Sequence, residues 1–252
     1  KMLSSGSTFI NSKVIQKNII ISEDEEVKIV KDDLISTKIE SILAEGVSAS
    51  SLSLFIKNPY LFYEQKILGV DNKDKSKYLN YMDQGTLIHR VIEKLYKPFI
   101  GKNLDVNDIN FMINQLQNES RNTFIELYSK EPTGKNLIFI EVVKEYIENT
   151  INFELDQIKN KNASIKIISL EKKLECNLSI KNQNVKLKGI IDRIDMFNDE
   201  VRIIDYKSGY VNAGLLDIKN IGKVKIDYKY SYLFQLLFYK YLYGINLSLI
   251  HI

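Results

Sequence analysis

Residues 189–209 read Gly189-Ile190-Ile191-Asp192-Arg193-Ile194-Asp195-Met196-Phe197-Asn198-Asp199-Glu200-Val201-Arg202-Ile203-Ile204-Asp205-Tyr206-Lys207-Ser208-Gly209. Two β-branched runs meet at Asn198-Asp199, a residue pair that tolerates the backbone of a tight hairpin turn. A two-residue loop pairs Phe197 with Glu200, and the same register sets Asp192 opposite Asp205 on one face of the sheet. A four-residue loop about the same centre keeps that register, whereas a bulge would shift it. The flanking Ile190-Ile191 and Ile203-Ile204 predict strands covered on at least one face. Arg193 and Asp195 can be read equally as the solvated side of the hairpin.

The period of two extends upstream, predicting strands over Ile165–Leu170, Lys173–Ile180, Val185–Met196 and Glu200–Tyr206. Before them the pattern is helical. Ser48 supplies an N-cap for a short helix stopped at Asn58-Pro59, and Tyr60–Ile67 adds a turn or two before Gly69. Gln84–Tyr96 carries Ile88, Val91, Ile92 and Leu95 on one face. Longer helices are predicted over Val106–Tyr128 and Leu137–Lys159, the second with Ile140, Val143, Ile147, Ile151, Leu155 and Ile158 as its stripe. A last helix, Tyr230–Tyr243, stops at Gly244. Helices, a strand meander and a closing helix give α/β (α+β) with a central mixed or antiparallel sheet. Residues 1–46, with a β-like run at Val14–Ile21 and the acids Glu23-Asp24-Glu25-Glu26, read as an N-terminal appendage to a domain over 47–252.

Two carboxylates opposed across a hairpin repel, and burial penalises their charge further. A hard divalent cation, Mg²⁺ or Mn²⁺, is the natural electrostatic partner. Lys207, two residues past Asp205 on the same strand face, can orient or deprotonate a water and stabilise charge on a phosphate. The pattern outlines metal-assisted hydrolysis. His89 stands on the amphipathic helix beside its apolar stripe. Gln235 and Tyr239 form an i, i+4 polar pair on an otherwise apolar final helix.

Composition narrows the class. With 44% hydrophobic residues in 252, the chain can bury a sizeable core. No apolar run is long enough to span a bilayer, so no membrane partner is expected, and a single cysteine, Cys176, leaves no internal disulfide or thiolate metal cluster. A reducing cytoplasm is the expected compartment. The net charge is only +3, but residues 157–190 hold eight lysines against two acids, so basic character concentrates near the hairpin. No Walker, nucleophile-elbow, zincin or dinucleotide motif occurs, and no small-molecule cofactor is expected.

Taken together, Gly85-x-x-x-His89, Gly189-x-x-Asp192-Arg193-x-Asp195, Asp205-Tyr206-Lys207-x-Gly209 and Gln235-x-x-x-Tyr239 resemble, in order, the motifs of the RecB-like branch of the PD-(D/E)xK nuclease superfamily. The likeness spans roughly residues 47–243 and is closest to the C-terminal nuclease domain of AddB-type helicase–nuclease proteins. Ser48–Leu52 through Asn58–Tyr63 also resembles that domain's start. The resemblance implies a restriction-endonuclease-like core with a helical insertion at about 97–162. It implies Mg²⁺ (Mn²⁺ substituting) held by His89, Asp192, Asp205 and the Tyr206 carbonyl, with Glu171 as a further acidic ligand. Lys207 becomes the catalytic lysine, supported by Gln235 and Tyr239. Many relatives hold an iron–sulfur cluster through a cysteine where this chain has Asn58, so no cluster is expected. The implied activity is DNA cleavage, as an exonuclease of double-strand-break repair near the nucleoid, partnered by the helicase subunit of an AddAB-type complex. Lys172, Lys173, Lys186, Lys188 and Arg193 are candidate phosphate contacts, and the lysines can be read equally as a solvated face. The alternatives are an inactive DNA-binding scaffold of the same fold, or a stand-alone RecB-like nuclease of the CRISPR-adaptation type.

Overall fold

The computed structural model of the chain describes residues 29–70, 81–181, 183–225 and 227–244, with the backbone of 248–249. The strand expected at 14–21 and the acids at 23–26 lie outside the described residues.

Helix α1 (Asp33–Glu45) opens on an Asp32 cap, whose carboxylate accepts from the Ile35 amide at 2.7 Å. It closes at Gly46, whose φ of 111° suits only glycine. Helix α2 (Ala49–Lys57) starts, as the sequence predicts, with the Ser48 hydroxyl accepting from the Ser51 amide. Asn58 ends α2 and begins α3 (Pro59–Phe62): its Oδ1 accepts from the Leu61 amide at 3.0 Å. A π-helical turn, Tyr63–Ile67, follows. Then come α4 (Tyr81–Tyr96), α5 (Val106–Tyr128), opened by an Asp105/Asp108 capping box, and α6 (Lys135–Lys161).

Strands β1 (Ile165–Ile180), β2 (Gln183–Phe197) and β3 (Glu200–Ile204) form an antiparallel meander, helix α7 (Ser231–Tyr243) follows, and β4 (Ser248–Leu249) runs parallel to β3. The mixed α/β class read from the sequence is the class found. Two details differ. The two strands expected over 165–180 are one, interrupted by a register shift between Ile167 and Ser169. Strand β3 ends at Ile204 rather than Tyr206, so Asp205–Lys207 lie just beyond the ladder.

Alternation along β3 shows how the sheet is covered. Ile204 joins a core with Ile88, Val91 and Ile92 of α4, Ile109 and Met112 of α5, and Ile147 and Ile151 of α6. Its neighbour Ile203 points the other way, into a second core with Val47, Leu187, Ile194 and Phe238. The α4–α6 layer therefore packs on one face and α7 with the α1–α2 connection on the other. Val47 exchanges backbone hydrogen bonds with Lys186 and Lys188 of β2, which ties that connection to the sheet. Both faces of the hairpin end up dry. No helix among the described residues is long and apolar enough to cross a membrane.

Candidate active site

The hairpin turn sets the site. Asn198 and Asp199 both take positive φ (47° and 69°), the signature of a type I′ turn whose twist matches that of its strands. Pairing runs from Phe197↔Glu200 to Arg193↔Ile204, so the next step places Asp192 opposite Asp205, as the sequence predicts. On the other side of β2, the pairs Leu170↔Arg193 and Lys172↔Ile191 bracket Glu171 and Asp192. Three carboxylates therefore form a row across β1, β2 and the segment that follows β3. Glu171 has a φ of 46°, rare for a side-chain-bearing residue within a strand. This kink follows the register shift and aims Glu171 at the same point as Asp192.

Helix α4 brings His89 over the row. Its Nδ1 lies 3.4 Å from Asp192 Oδ2 and its Nε2 2.9 Å from the Tyr206 carbonyl oxygen. Burial pulls the imidazole pKa down, but the hydrogen bond and charge of Asp192, the Tyr206 carbonyl and Asp205 outweigh it and leave the pKa raised. Burial and the Asp192 charge raise Glu171 as well. Asp205, 2% exposed, is pushed up to about 6 by burial first and Asp192 second, with Lys207 opposing.

Asp205 has two neighbours. Lys207 Nζ lies 2.5 Å from its Oδ2, and Gln235 Nε2 donates to its Oδ1 at 3.2 Å. The same Gln235 amide donates to the Tyr239 hydroxyl at 2.8 Å, so the i, i+4 pair on α7 braces the acid. Gly189 explains how α7 comes so close. A Cβ there would meet Tyr239 Cε1 at 2.9 Å and Leu242 Cδ1 at 3.0 Å. Tyr206 works through its peptide atoms: its N–H donates to Asp192 Oδ2 at 2.7 Å while its carbonyl meets His89. The Lys207 carbonyl accepts from the Tyr146 hydroxyl of α6.

The donor set suits a hard cation. One ligand atom each from His89, Glu171 and Asp192 lies within 4.8 Å of the others. Asp205 Oδ2 is buried and held by the Lys207 ammonium as an ion pair. Glu171 completes this cluster, while Lys207 and Gln235 engage Asp205.

Behind the row lies a feature that the sequence pattern does not announce. Arg193 donates to Glu154 of α6 at 2.7 Å and to Asp195 at 2.6 Å, with the Tyr206 hydroxyl at 3.3 Å. Arg202 grips both oxygens of Asp195, and Tyr96 donates to Glu154 at 2.8 Å. Arg193 and Asp195 are both 0% exposed. Arg193 is therefore no phosphate contact and Asp195 is not solvated: the helices cover this face, and every charge on it is paired. One signal for Glu154 was present. It interrupts the apolar stripe of α6, three residues past Ile151.

The lysines expected to meet phosphate divide. Lys186 pairs with Glu175 at 2.6 Å, and Lys188 donates to the Glu45 carbonyl at the end of α1. Lys172 and Lys173 are exposed, and Lys173 and Lys188 line a cleft of about 360 Å³ beside Gln235 and Tyr239.

A family model described as the PD-(D/E)XK nuclease superfamily matches residues 46–248, most of the chain. Similar curated proteins include an uncharacterized protein of Rickettsia conorii, 31% identical over 179 residues covering 66% of this chain and 19% of that one. Another, from Rickettsia typhi, is 30% identical over 186 residues, covering 72% and 20%. A protein of Streptococcus agalactiae named as a subunit of an ATP-dependent helicase/deoxyribonuclease is 28% identical over 190 residues, covering 75% of this chain and 16% of that protein. The chain spans about a fifth or less of the length of these relatives.

Proposed function

The chain belongs to the PD-(D/E)XK nuclease superfamily, and from that premise we propose that it is a metal-dependent DNA nuclease domain that hydrolyses phosphodiester bonds. The observation that carries this reading is the His89, Glu171 and Asp192 cluster, whose ligand atoms lie within 4.8 Å of one another, with the Asp205–Lys207 pair on the next chain segment of the hairpin. DNA as substrate follows from relatives named as parts of a helicase/deoxyribonuclease. We further propose that it acts as an exonuclease in double-strand-break repair; the helicase in that relative's name is what supports a helicase partner.

His89, Glu171 and Asp192 would hold Mg²⁺, or Mn²⁺ in its place, with Asp205 and the Tyr206 carbonyl adjoining. Such an ion, when bound, polarises the phosphate and makes a water more acidic. The protein supplies the rest. Lys207 places an ammonium beside Asp205, where it orients the attacking water and stabilises the charge that grows on the phosphate oxygens. Gln235 and Tyr239 hold Asp205 in that position. The peptide of Tyr206 fixes the Asp192 carboxylate and the His89 ring together. All of these groups are set before substrate arrives, which limits reorganisation during the reaction.

The test is cleavage of linear DNA in Mg²⁺ by the parent chain, Asp205→Ala and Lys207→Ala. A loss of at least about a hundredfold in both variants is expected. Equal activity in all three would overturn the reading.

A further inference from the structure

We propose that a groove running past Tyr210, Tyr228, Tyr232 and Gln235 is a track for an extended, unpaired nucleic-acid strand, which feeds its phosphates to the Lys207–Asp205 pair. This inference rests on the nuclease reading and adds to it where the strand lies and in what state.

Three clefts share walls. One of about 350 Å³ contains Tyr210, Tyr228 and Tyr232. The next, also about 350 Å³, shares Tyr228 and Tyr232 and continues to Gln235. The third, about 360 Å³, shares Gln235. Gln235 is the residue that hydrogen-bonds Asp205, and Lys207 Nζ lies 5.5 Å from the centre of the Tyr232 ring. The row therefore passes directly beside the reacting groups.

The lining has the chemistry of single-strand binding: rings for bases and ammonium groups for phosphates. Tyr210 is 88% exposed and Tyr228 41% exposed, so both rings are open to a ligand. Among the described residues, no carboxylate lines either of the first two clefts. Lys57 and Lys66 line the middle one, and neither pairs with a carboxylate among the described residues. Lys57 Nζ sits 4.8 Å above the Tyr228 ring, so cation and ring already form a composite surface. Each cleft, at about 350–360 Å³, is of the order of one nucleotide in size, and a ring can stack only on a base face that a duplex keeps covered, so the bases must be unpaired to reach the rings.

The experiment measures binding of a fluorescein-labelled oligothymidylate and of a blunt duplex of equal length by anisotropy, in Ca²⁺ to suppress cleavage. Replacing both Tyr228 and Tyr232 with Ala is expected to weaken single-strand binding by about 10- to 100-fold. Duplex binding should change by no more than about twofold, because it depends on phosphate contacts. The Tyr→Phe pair should bind like the parent. Parental affinity in the Ala pair, or an equal loss on both ligands, overturns the track. If the Ala pair does not fold, Lys66→Glu on the exposed rim decides: the salt dependence of single-strand binding should fall by about one unit of slope, and an unchanged slope overturns the proposal. A chain that binds strands through its tyrosines but cuts nothing in Mg²⁺ refutes the nuclease reading alone. A chain that cuts but is indifferent to these substitutions refutes the track alone.

Discussion

Glu154 of helix α6 and Arg193 of strand β2 form an ion pair of 2.7 Å with side-chain exposures of 2% and 0%. Arg193 adjoins Asp192 in sequence and reaches the Tyr206 hydroxyl in space, so the pair stands directly behind the reacting row. Removing one member leaves the other charged and buried, at a cost of about 3–5 kcal/mol. Glu154→Gln should lower stability by that order in urea denaturation. Glu154→Gln combined with Arg193→Met should be less destabilised than the sum of the two single variants, since no lone charge remains.

Asp205 predicts an inverse relation between stability and activity. Its carboxyl is raised to about 6 in the fold against an ordinary 3.8, so the folded state favours the protonated form. The associated stability is present at low pH and is lost as pH rises through about 6. His89, also raised, contributes with the same sign. In EDTA the melting temperature should therefore fall between pH 5 and pH 7.5. Asp205→Asn should flatten that fall and stabilise the fold at pH 7.5, by on the order of 1–3 kcal/mol, while abolishing cleavage. Calorimetry across this pH range is the check.

A divalent cation should act in the opposite sense. Mn²⁺ relieves the mutual repulsion of the carboxylates only when they are ionised. It should raise the melting temperature more at pH 7.5 than at pH 5, and Asp192→Asn should remove most of the rise.

Glu171 is expected to affect metal dependence more than turnover. Glu171→Gln keeps the kinked backbone and its length but removes a charge from the ligand cluster. The Mg²⁺ concentration for half-maximal cleavage should increase about tenfold, with kcat at saturating metal changing less.

Gly189→Ala tests the seating of α7. The added methyl group overlaps Tyr239 and crowds Leu242, so the Tyr239 ring, or the helix that carries it, must shift away from β2. Overpacking of this kind costs about 1–3 kcal/mol. Because Gln235 rides on the same helix, cleavage should fall more steeply than stability alone explains, and a gel-based assay beside a denaturant titration separates the two.

The sequence disclosed the hairpin because its register depends on neighbours. Asn198-Asp199 tolerates two consecutive left-handed residues, and once the turn is fixed the opposition of Asp192 and Asp205 follows by counting. The Gln235–Tyr239 contact was visible for the same local reason, one turn of helix. The burial of Arg193 and Asp195 was not. Arg193 pairs with Glu154, 39 residues before it, and no pattern within the strand announces a helix arriving from so far away. Glu171 was also obscure. Its position depends on one extra residue in β1 and one backbone angle, both set by packing and not by residue type. Period-two alternation therefore misjudged a strand whose polar side is as dry as its apolar side.

Tyr206 holds Asp192 and His89 through its amide and carbonyl, groups that every amino acid shares. Exchanging its ring for another would sever the tie to Arg193 yet leave those two contacts standing. Proline alone deletes the amide hydrogen. This part of the site is thus written into the polymer itself, where a residue-by-residue mutational scan would pass over it, and amide-to-ester replacement at that position is the way to expose it.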